Sequence, residues 1–233
     1  MLRPYLLLPD TIGLMFIGHF AVGFGGKRIA RRASLGTLFL AAQFLDLLWP
    51  TFLLLGLESV RVVQGITPFS PMDFVSYPFT HSLIASIGWS VLFGHVYFVL
   101  TRRGREAIVL AFCVLSHWIL DFATHRPDLP LGFAPASARV GLGLWFHPRM
   151  TLAVESLMFL AGVLLYGRAT VAKDRAGTIG FWALVIFLFV AYLAASFGPP
   201  PPNVTALAWG AQSLWLLVIW GYWLDKHRQF AVQ

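Results

Sequence analysis

Charged residues and cysteine are scarce in this chain. Only 12% of its 233 residues are charged, and the one cysteine, Cys113, lies inside an apolar run. A soluble domain of this length carries about a quarter charged residues, so the composition excludes an ordinary soluble protein. A single cysteine also excludes a disulfide framework within the chain. Hydrophobic residues make up 58% of the sequence, with nine Trp and 21 Phe. We therefore expect a membrane protein with several spans.

The long apolar runs predict the number of spans. A helix needs about 20 apolar residues to cross a bilayer, and seven runs approach that length. We predict an all-α fold, a polytopic membrane helix bundle of about seven transmembrane helices that forms a single integral membrane domain over residues 1–233. No internal repeat is visible. The predicted spans are roughly Leu6–Gly25, Leu35–Leu57, His81–Thr101, Ala107–Thr124, Thr151–Gly167, Ile179–Phe197 and Thr205–Leu224.

The positions of Lys and Arg predict the orientation of the bundle. Basic segments at 27–32, 102–105, 168–175 and in the C-terminal tail alternate with segments that carry few Lys or Arg residues. The segment 125–150, with three Arg residues, is the exception. Because loops rich in Lys and Arg face the cytoplasm, we expect the N-terminus outside and the C-terminus inside. This topology explains the formal net charge of +7 without a nucleic-acid partner, and the expected partner is the lipid bilayer.

Ionisable residues lie inside several predicted spans. His117, Asp121 and His125 are spaced four residues apart and therefore share one face of a helix. Asp46 lies near the middle of the second span. The predicted topology gathers most of this group in the outer half of the bilayer, and its other members are His19, His81 and Glu155.

Burying these carboxylates calls for a partner. A carboxylate at the bilayer centre costs about 2.5–3.5 kcal/mol, and the predicted spans offer histidines but no Lys or Arg at a matching depth. A divalent metal ion bound by neutral imidazoles and ionised carboxylates would offset that cost. His and Asp without Cys favour Zn, with Mn or Fe(II) as alternatives. The simpler alternative for each residue is a hydrogen bond that holds helices together, and for Glu155 also a solvated position at a helix start.

The order of the motifs is similar to that of a known family. In "GHFAVGFGG", "QFLDLLWP", "YPFTHSL" and "SHWILDFATH" the chain resembles the YdjM-like family of bacterial inner-membrane proteins, which are membrane-bound metal-dependent hydrolases. The resemblance covers roughly 18–130, within the motif-bearing half 1–130. The additional transmembrane helices, 151–224, match only in being hydrophobic. The resemblance implies a multi-pass protein of the bacterial inner membrane with metal-site residues His19, Asp46, His81, His117 and Asp121.

One departure from the family bears on the number of metal ions. The family often has a cluster of carboxylates on its second element, where this chain has only Asp46. This difference argues against a two-metal site. A single metal with an open position would lower the pKa of bound water and provide a hydroxide nucleophile.

The expected function is metal-assisted hydrolysis of an ester or phosphoester bond in a lipid or amphiphilic substrate. His19 would act as a metal ligand or as an acid or base, and His125 or Glu155 would relay protons. A transporter of protons or metal ions is the alternative, since intramembrane His and Asp residues also mark ion pathways. A non-catalytic membrane scaffold is the third hypothesis.

Overall fold

The structure is a computed structural model that describes residues 17–231. Part of the first predicted span, Leu6–Gly25, lies outside the described residues. Helices make up most of the described chain. They are α1 (Ile17–Gly26), α2 (Leu35–Ala42), α3 (Phe44–Leu54), α4 (Pro78–His81), α5 (Leu83–Thr101), α6 (Gly104–Thr124), α7 (Pro148–Ala169), α8 (Arg175–Phe197), α9 (Val204–Ala211) and α10 (Leu214–His227).

The helices account for most of the predicted spans. Five helical segments are long and apolar enough to cross a membrane: α5, α6, α7, α8 and the continuous stretch Val204–His227 formed by α9 and α10. The pair α2 and α3 adds a sixth if it counts as one span, although it bends by 57°. The described part of the chain therefore has the character of a polytopic helical membrane protein, and the count of seven spans stays a prediction.

Short strands amend the all-α prediction. Three antiparallel two-stranded pairs lie outside the helices, in the connections between them and after α10. They are β1 (Ser59–Val62) with β2 (Met72–Ser76), β3 (Leu129–Pro130) with β4 (Arg139–Val140), and β5 (Thr170–Ala172) with β6 (Arg228–Phe230). These strands pair connecting segments with each other, whereas the helices form the body of the molecule.

The connections gather at two ends of the bundle. At one end, which we call the basic end (27–34, 102–105, 168–175 and 225–231), Arg103 Nη1 donates to the carbonyl of Arg32 over 3.0 Å. There Lys173 N also bonds His227 O over 2.9 Å. At the other end, the cap (55–82 and 125–147) holds together through bonds such as Arg139 Nη2 to Val75 O, 2.9 Å. Most described Lys and Arg residues lie at the basic end.

Close packing of α1 and α7 places the first functional residue. A Cβ on Gly162 would lie 2.5 Å from the backbone oxygen of Ala21, so only glycine permits this approach of the two helices. Small residues at such crossings are typical of helix packing in membranes. Phe24 of α1 then packs edge-on against Phe39 of α2, with ring centroids 4.9 Å apart. α1 is thereby fixed in the core, and His19 on it is buried.

Candidate metal centre

Five predicted metal-site residues meet at the cap end of the bundle. His81 Nε2 lies 3.4 Å from Asp46 Oδ1 and 3.7 Å from Asp121 Oδ2. His117 Nε2 lies 3.6 Å from Asp46 Oδ1 and 3.4 Å from Asp121 Oδ2. His19 Nε2 lies 3.3 Å from Asp121 Oδ1. The structure thus brings together residues from α1, α3, α4 and α6 that are up to 102 positions apart in the sequence.

A break in the second predicted span shapes the site. The sequence predicts one span over Leu35–Leu57, but the helix stops at Ala42, bends by 57° and restarts at Phe44. The break lies at Gln43, which is fully buried. It places Asp46 in the first turn of α3, where the positive end of the helix dipole stabilises a carboxylate.

The same break supplies a partner for His117. An uninterrupted helix would use the carbonyl of Ala42 for a bond four residues ahead, but here this oxygen lies 2.8 Å from His117 Nδ1. Because a carbonyl can only accept, Nδ1 of His117 carries the proton. A neutral His117 therefore presents the lone pair of Nε2 to Asp46 and Asp121.

A chain of three side chains orients His81 in a similar way. The hydroxyl of Thr80 donates to Glu58 Oε2 over 2.6 Å, and Thr80 Oγ1 lies 2.7 Å from His81 Nδ1. With its hydrogen given to Glu58, the Thr80 oxygen accepts from His81 Nδ1–H. His81 therefore also turns the lone pair of Nε2 toward the carboxylates. Metal-binding histidines commonly have their other nitrogen held in this manner.

Glu58 is the functional candidate that the sequence analysis missed. Its side chain is buried, and Oε1 accepts from the backbone N–H groups of Phe79 and Thr80, each over 2.8 Å. Burial raises the pKa of the Glu58 carboxyl, and the hydrogen bond from Thr80 opposes that rise. Glu58 lies 22 residues before Thr80 at the end of an apolar run, and no spacing rule links the two. A carboxylate at the edge of a span was the only available signal.

His19 stacks on His117. The two rings are parallel within 1°, with centroids 3.7 Å apart. Neither nitrogen of His19 makes a hydrogen bond in the described part of the chain, and the same holds for His117 Nε2. Two imidazolium rings in this arrangement would repel each other. Neutralising the carboxylates by protonating both histidines would therefore cost free energy.

The donor set fits a metal ion. Unpaired buried nitrogens and two carboxylates face one point, and within the described residues no Lys or Arg forms an ion pair with Asp46 or Asp121. Zn–N bonds of about 2.0–2.1 Å imply donor atoms about 3.3 Å apart in a tetrahedron. The four separations between the nitrogens of His81 and His117 and the oxygens of Asp46 and Asp121 are 3.4–3.7 Å. These residues can therefore surround one divalent ion, and a bound water molecule would need either a fifth position or the release of one carboxylate.

The geometry favours one ion over two. The donors form two possible groups, His19 with His117 and Asp121, and Asp46 with His81 and His117. Both groups use His117, whose Nδ1 is already bonded to Ala42. Since a single nitrogen cannot serve two ions, the groups describe two sides of one centre.

The other two predicted catalytic residues lie beside this centre. His125 Nδ1 lies 3.0 Å from Asp128 Oδ1, and the Tyr77 hydroxyl donates to the same oxygen over 3.3 Å. Burial and the charge of Asp128 hold the pKa of Tyr77 well above its usual value, so Tyr77 remains a donor. Glu155 is fully buried on α7, and its Oε2 lies 3.5 Å from Gly18 N. The alternative of a solvated Glu155 at a helix start is therefore wrong.

Access to the centre is uneven. The side chain of Asp46 is 27% exposed, whereas those of the other four residues are at most 5% exposed. The aromatic rings of Phe74, Tyr77 and Trp145, all buried in the cap, lie on the side of His125. The open side of the centre is therefore the side of Asp46.

Comparison with known proteins assigns neither a family nor a function to this chain. The chain matches no family model, no curated protein and no solved structure. The resemblance to the YdjM-like family rests on the four motifs alone, and the case for a function rests on the geometry of the centre.

Proposed function

We propose that the protein binds one divalent metal ion through Asp46, His81, His117 and Asp121, and uses it to hydrolyse an ester or phosphoester bond. The observation that carries the proposal is the convergence of two imidazole lone pairs and two carboxylates in an apolar bundle. Without an ion, two negative charges would lie among helices where no Lys or Arg of residues 17–231 pairs with them. A divalent cation balances them. Zn is the preferred ion, with Mn or Fe(II) as alternatives for this His and Asp set.

The residues around the ion have separate tasks. Such an ion, when bound, polarises the substrate oxygen and lowers the pKa of a water molecule. Glu58 and Thr80 hold the ring of His81, and Ala42 holds that of His117. His19 faces the second oxygen of Asp121, where it can hold a proton for the reaction. The dyad of His125 and Asp128 is placed to pass protons toward the cap.

The surroundings support a lipid or amphiphilic substrate. Of the helices that carry the centre, α6 is long and apolar enough to span a membrane, and α3 belongs to the bent pair that counts as a sixth candidate span. The open side of the centre is that of Asp46. If the basic end faces the cytoplasm, as loops rich in Lys and Arg do, the centre lies in the outer half of the bilayer. A bacterial inner membrane, which the resemblance implies, is the membrane we propose.

A hydrolysis assay tests this function. The purified protein, loaded with Zn or Mn, is incubated in vesicles with a panel of phospholipids and lipid carboxylic esters, and products are identified by mass spectrometry. We expect turnover that a chelator abolishes and that His117→Ala lacks. The control His95→Ala changes an exposed histidine on α5 and should stay active. Metal binding without turnover of any ester or phosphoester would reject the hydrolase assignment.

One observation favours a transporter as the second candidate. The bend of 57° between α2 and α3 makes a discontinuous helix whose ends meet the ionisable residues, and such helices build the ion sites of many transporters. Proteoliposomes with a pH-sensitive or metal-sensitive dye inside distinguish the two functions. Flux that requires Asp46 and Asp121, in the absence of any hydrolysis product, would favour the transporter.

A further inference from the structure

A groove on the outer surface of the bundle lies far from the metal centre. It runs between α8 and α10 next to the basic end, and its volume is about 590 Å³. Apolar side chains line it, among them Ile179, Leu216, Trp220 and Trp223. Small-molecule pockets span about 300–1,000 Å³. The groove is therefore large enough for part of a lipid chain.

Glycine makes the floor of this groove. A Cβ on Gly180 would collide with the ring of Trp223, so the absence of a side chain lets that ring pack against α8. From Trp223 to Leu216 the groove follows α10 for about 10 Å, at 1.5 Å per residue. α8 and the continuous stretch of α9 and α10 are each long and apolar enough to span a membrane, and Ile179 and Leu216 are exposed on their surface. Lipid tails would therefore surround the groove.

Positive charges stand at the mouth of the groove. Arg175 begins α8, and Lys226 lies one turn beyond Trp223, with both side chains exposed. Lys173 joins them, because its Nζ donates to the carbonyl of Lys226 over 2.9 Å. The nearby carboxylate, Asp174, is already engaged by Gly177 N at 2.7 Å and His227 Nδ1 at 2.8 Å. The mouth thus offers cations for an anionic group.

We propose that this groove binds one acyl chain of an anionic glycerophospholipid, whose phosphate lies against Arg175 and Lys226. An apolar channel with cations at its membrane–water edge matches the two parts of such a lipid. A second copy of the chain is a poorer occupant. Symmetric pairing across the groove would bring the same Lys and Arg residues together, and like charges at an interface oppose association.

Native mass spectrometry of the detergent-purified protein tests the proposal. The protein is titrated with phosphatidylglycerol, with phosphatidylcholine of the same chains, and with inorganic phosphate. The headgroup variant is Arg175→Gln with Lys226→Gln. Its control, Arg102→Gln with Arg105→Gln, removes the same charge from exposed positions of the α5–α6 connection at the same end. The groove variant is Ile179→Trp, which fills the groove at an exposed position. Thermal unfolding of each variant checks that it is folded.

We expect one tightly held phosphatidylglycerol in the wild type and in the control. The headgroup variant should bind it about thirty-fold more weakly, since each Lys or Arg near an anionic membrane surface strengthens binding about five-fold. The groove variant should lose the lipid. Equal binding of phosphatidylcholine, or unchanged binding by both variants, would overturn the proposal. So would binding of inorganic phosphate with no lipid, or a dimer that Ile179→Trp disrupts.

Discussion

His117 donates through Nδ1 to the carbonyl of Ala42, 2.8 Å away, at the point where α2 ends. The bond joins an intramembrane histidine to a backbone oxygen that a continuous helix would have used itself. It fixes which nitrogen of His117 faces Asp46 and Asp121. The break at Gln43 is therefore part of the site, because it both frees this oxygen and starts the helix that carries Asp46.

Thr80→Val tests the chain that orients His81. Valine keeps the shape of threonine but removes the hydroxyl that links His81 Nδ1 to Glu58. Loss of such a supporting bond weakens metal affinity about 10–100-fold, and we expect this loss in a competition titration against a chelator. Thr124→Val is the control, since the Thr124 hydroxyl bonds only backbone oxygens of its own helix. Equal affinity of the two variants would remove Thr80 and Glu58 from the account.

His19→Gln separates metal binding from proton transfer. His19 faces Asp121 Oδ1, whereas the other four donors face one another. We expect the variant to keep most of its metal and to lose about 10²–10⁴-fold in hydrolysis rate, the usual contribution of a general acid or base. Metal content and turnover are measured on the same preparation. If metal and activity fall together to the level of His117→Ala, His19 is a ligand instead.

Gly162→Ala tests the close approach of α1 and α7. The new methyl group would lie 2.5 Å from the oxygen and 2.8 Å from the Cα of Ala21. Because these are backbone atoms, the helices must separate, at a cost of about 1–3 kcal/mol. Thermal unfolding in detergent should show a lower midpoint. Gly167→Ala, in the same helix with no atom within 4 Å of the new Cβ, should leave stability unchanged or raise it by up to about 1 kcal/mol.

The basic end predicts a dependence of stability on pH. The hydrogen bond from His227, followed by that from Gly177 N, lowers the pKa of Asp174 from its ordinary value of 3.8. A carboxyl group whose pKa is lower in the folded state stabilises the protein at pH values above its unfolded-state pKa. This contribution disappears as the pH falls through the folded-state pKa. Asp174→Asn should therefore lower the unfolding midpoint slightly at pH 6. The difference should shrink as the pH falls below 3.8 and through the lowered pKa, because Asp174 then becomes neutral; a constant difference would contradict the pKa shift.

The sequence predicted the helical membrane character and the residues of the centre. It did not predict the helix break and the supporting contacts that hold those residues in place. Apolar length identified α5 to α8 closely. The ionisable residues inside and at the ends of spans, together with the motif resemblance, singled out His19, Asp46, His81, His117 and Asp121. The break at Gln43 was missed, because glutamine is no helix breaker and hydropathy runs unbroken across it. Pro50, the residue in this stretch most typical of a helix kink, lies inside α3 and not at the break.

Long-range contacts explain the other differences. The pairing of β5 with β6 joins residues 56 to 60 positions apart, and strands of three residues leave no periodic signal. Glu58 reaches Thr80 only because the pairing of β1 with β2 brings the chain back beside α4. Its role could not follow from spacing along one helix, the rule that linked His117 with Asp121.

Metal content tests the central claim most directly. The detergent-purified protein is loaded with Zn, dialysed and analysed by elemental mass spectrometry, beside His117→Ala, Asp121→Ala and the control His95→Ala. The account predicts about one equivalent of metal in the wild type and the control, and a large loss in the other two variants while their helical content remains. No bound metal in the folded wild type, or equal metal in His117→Ala, would contradict a metal centre at this site.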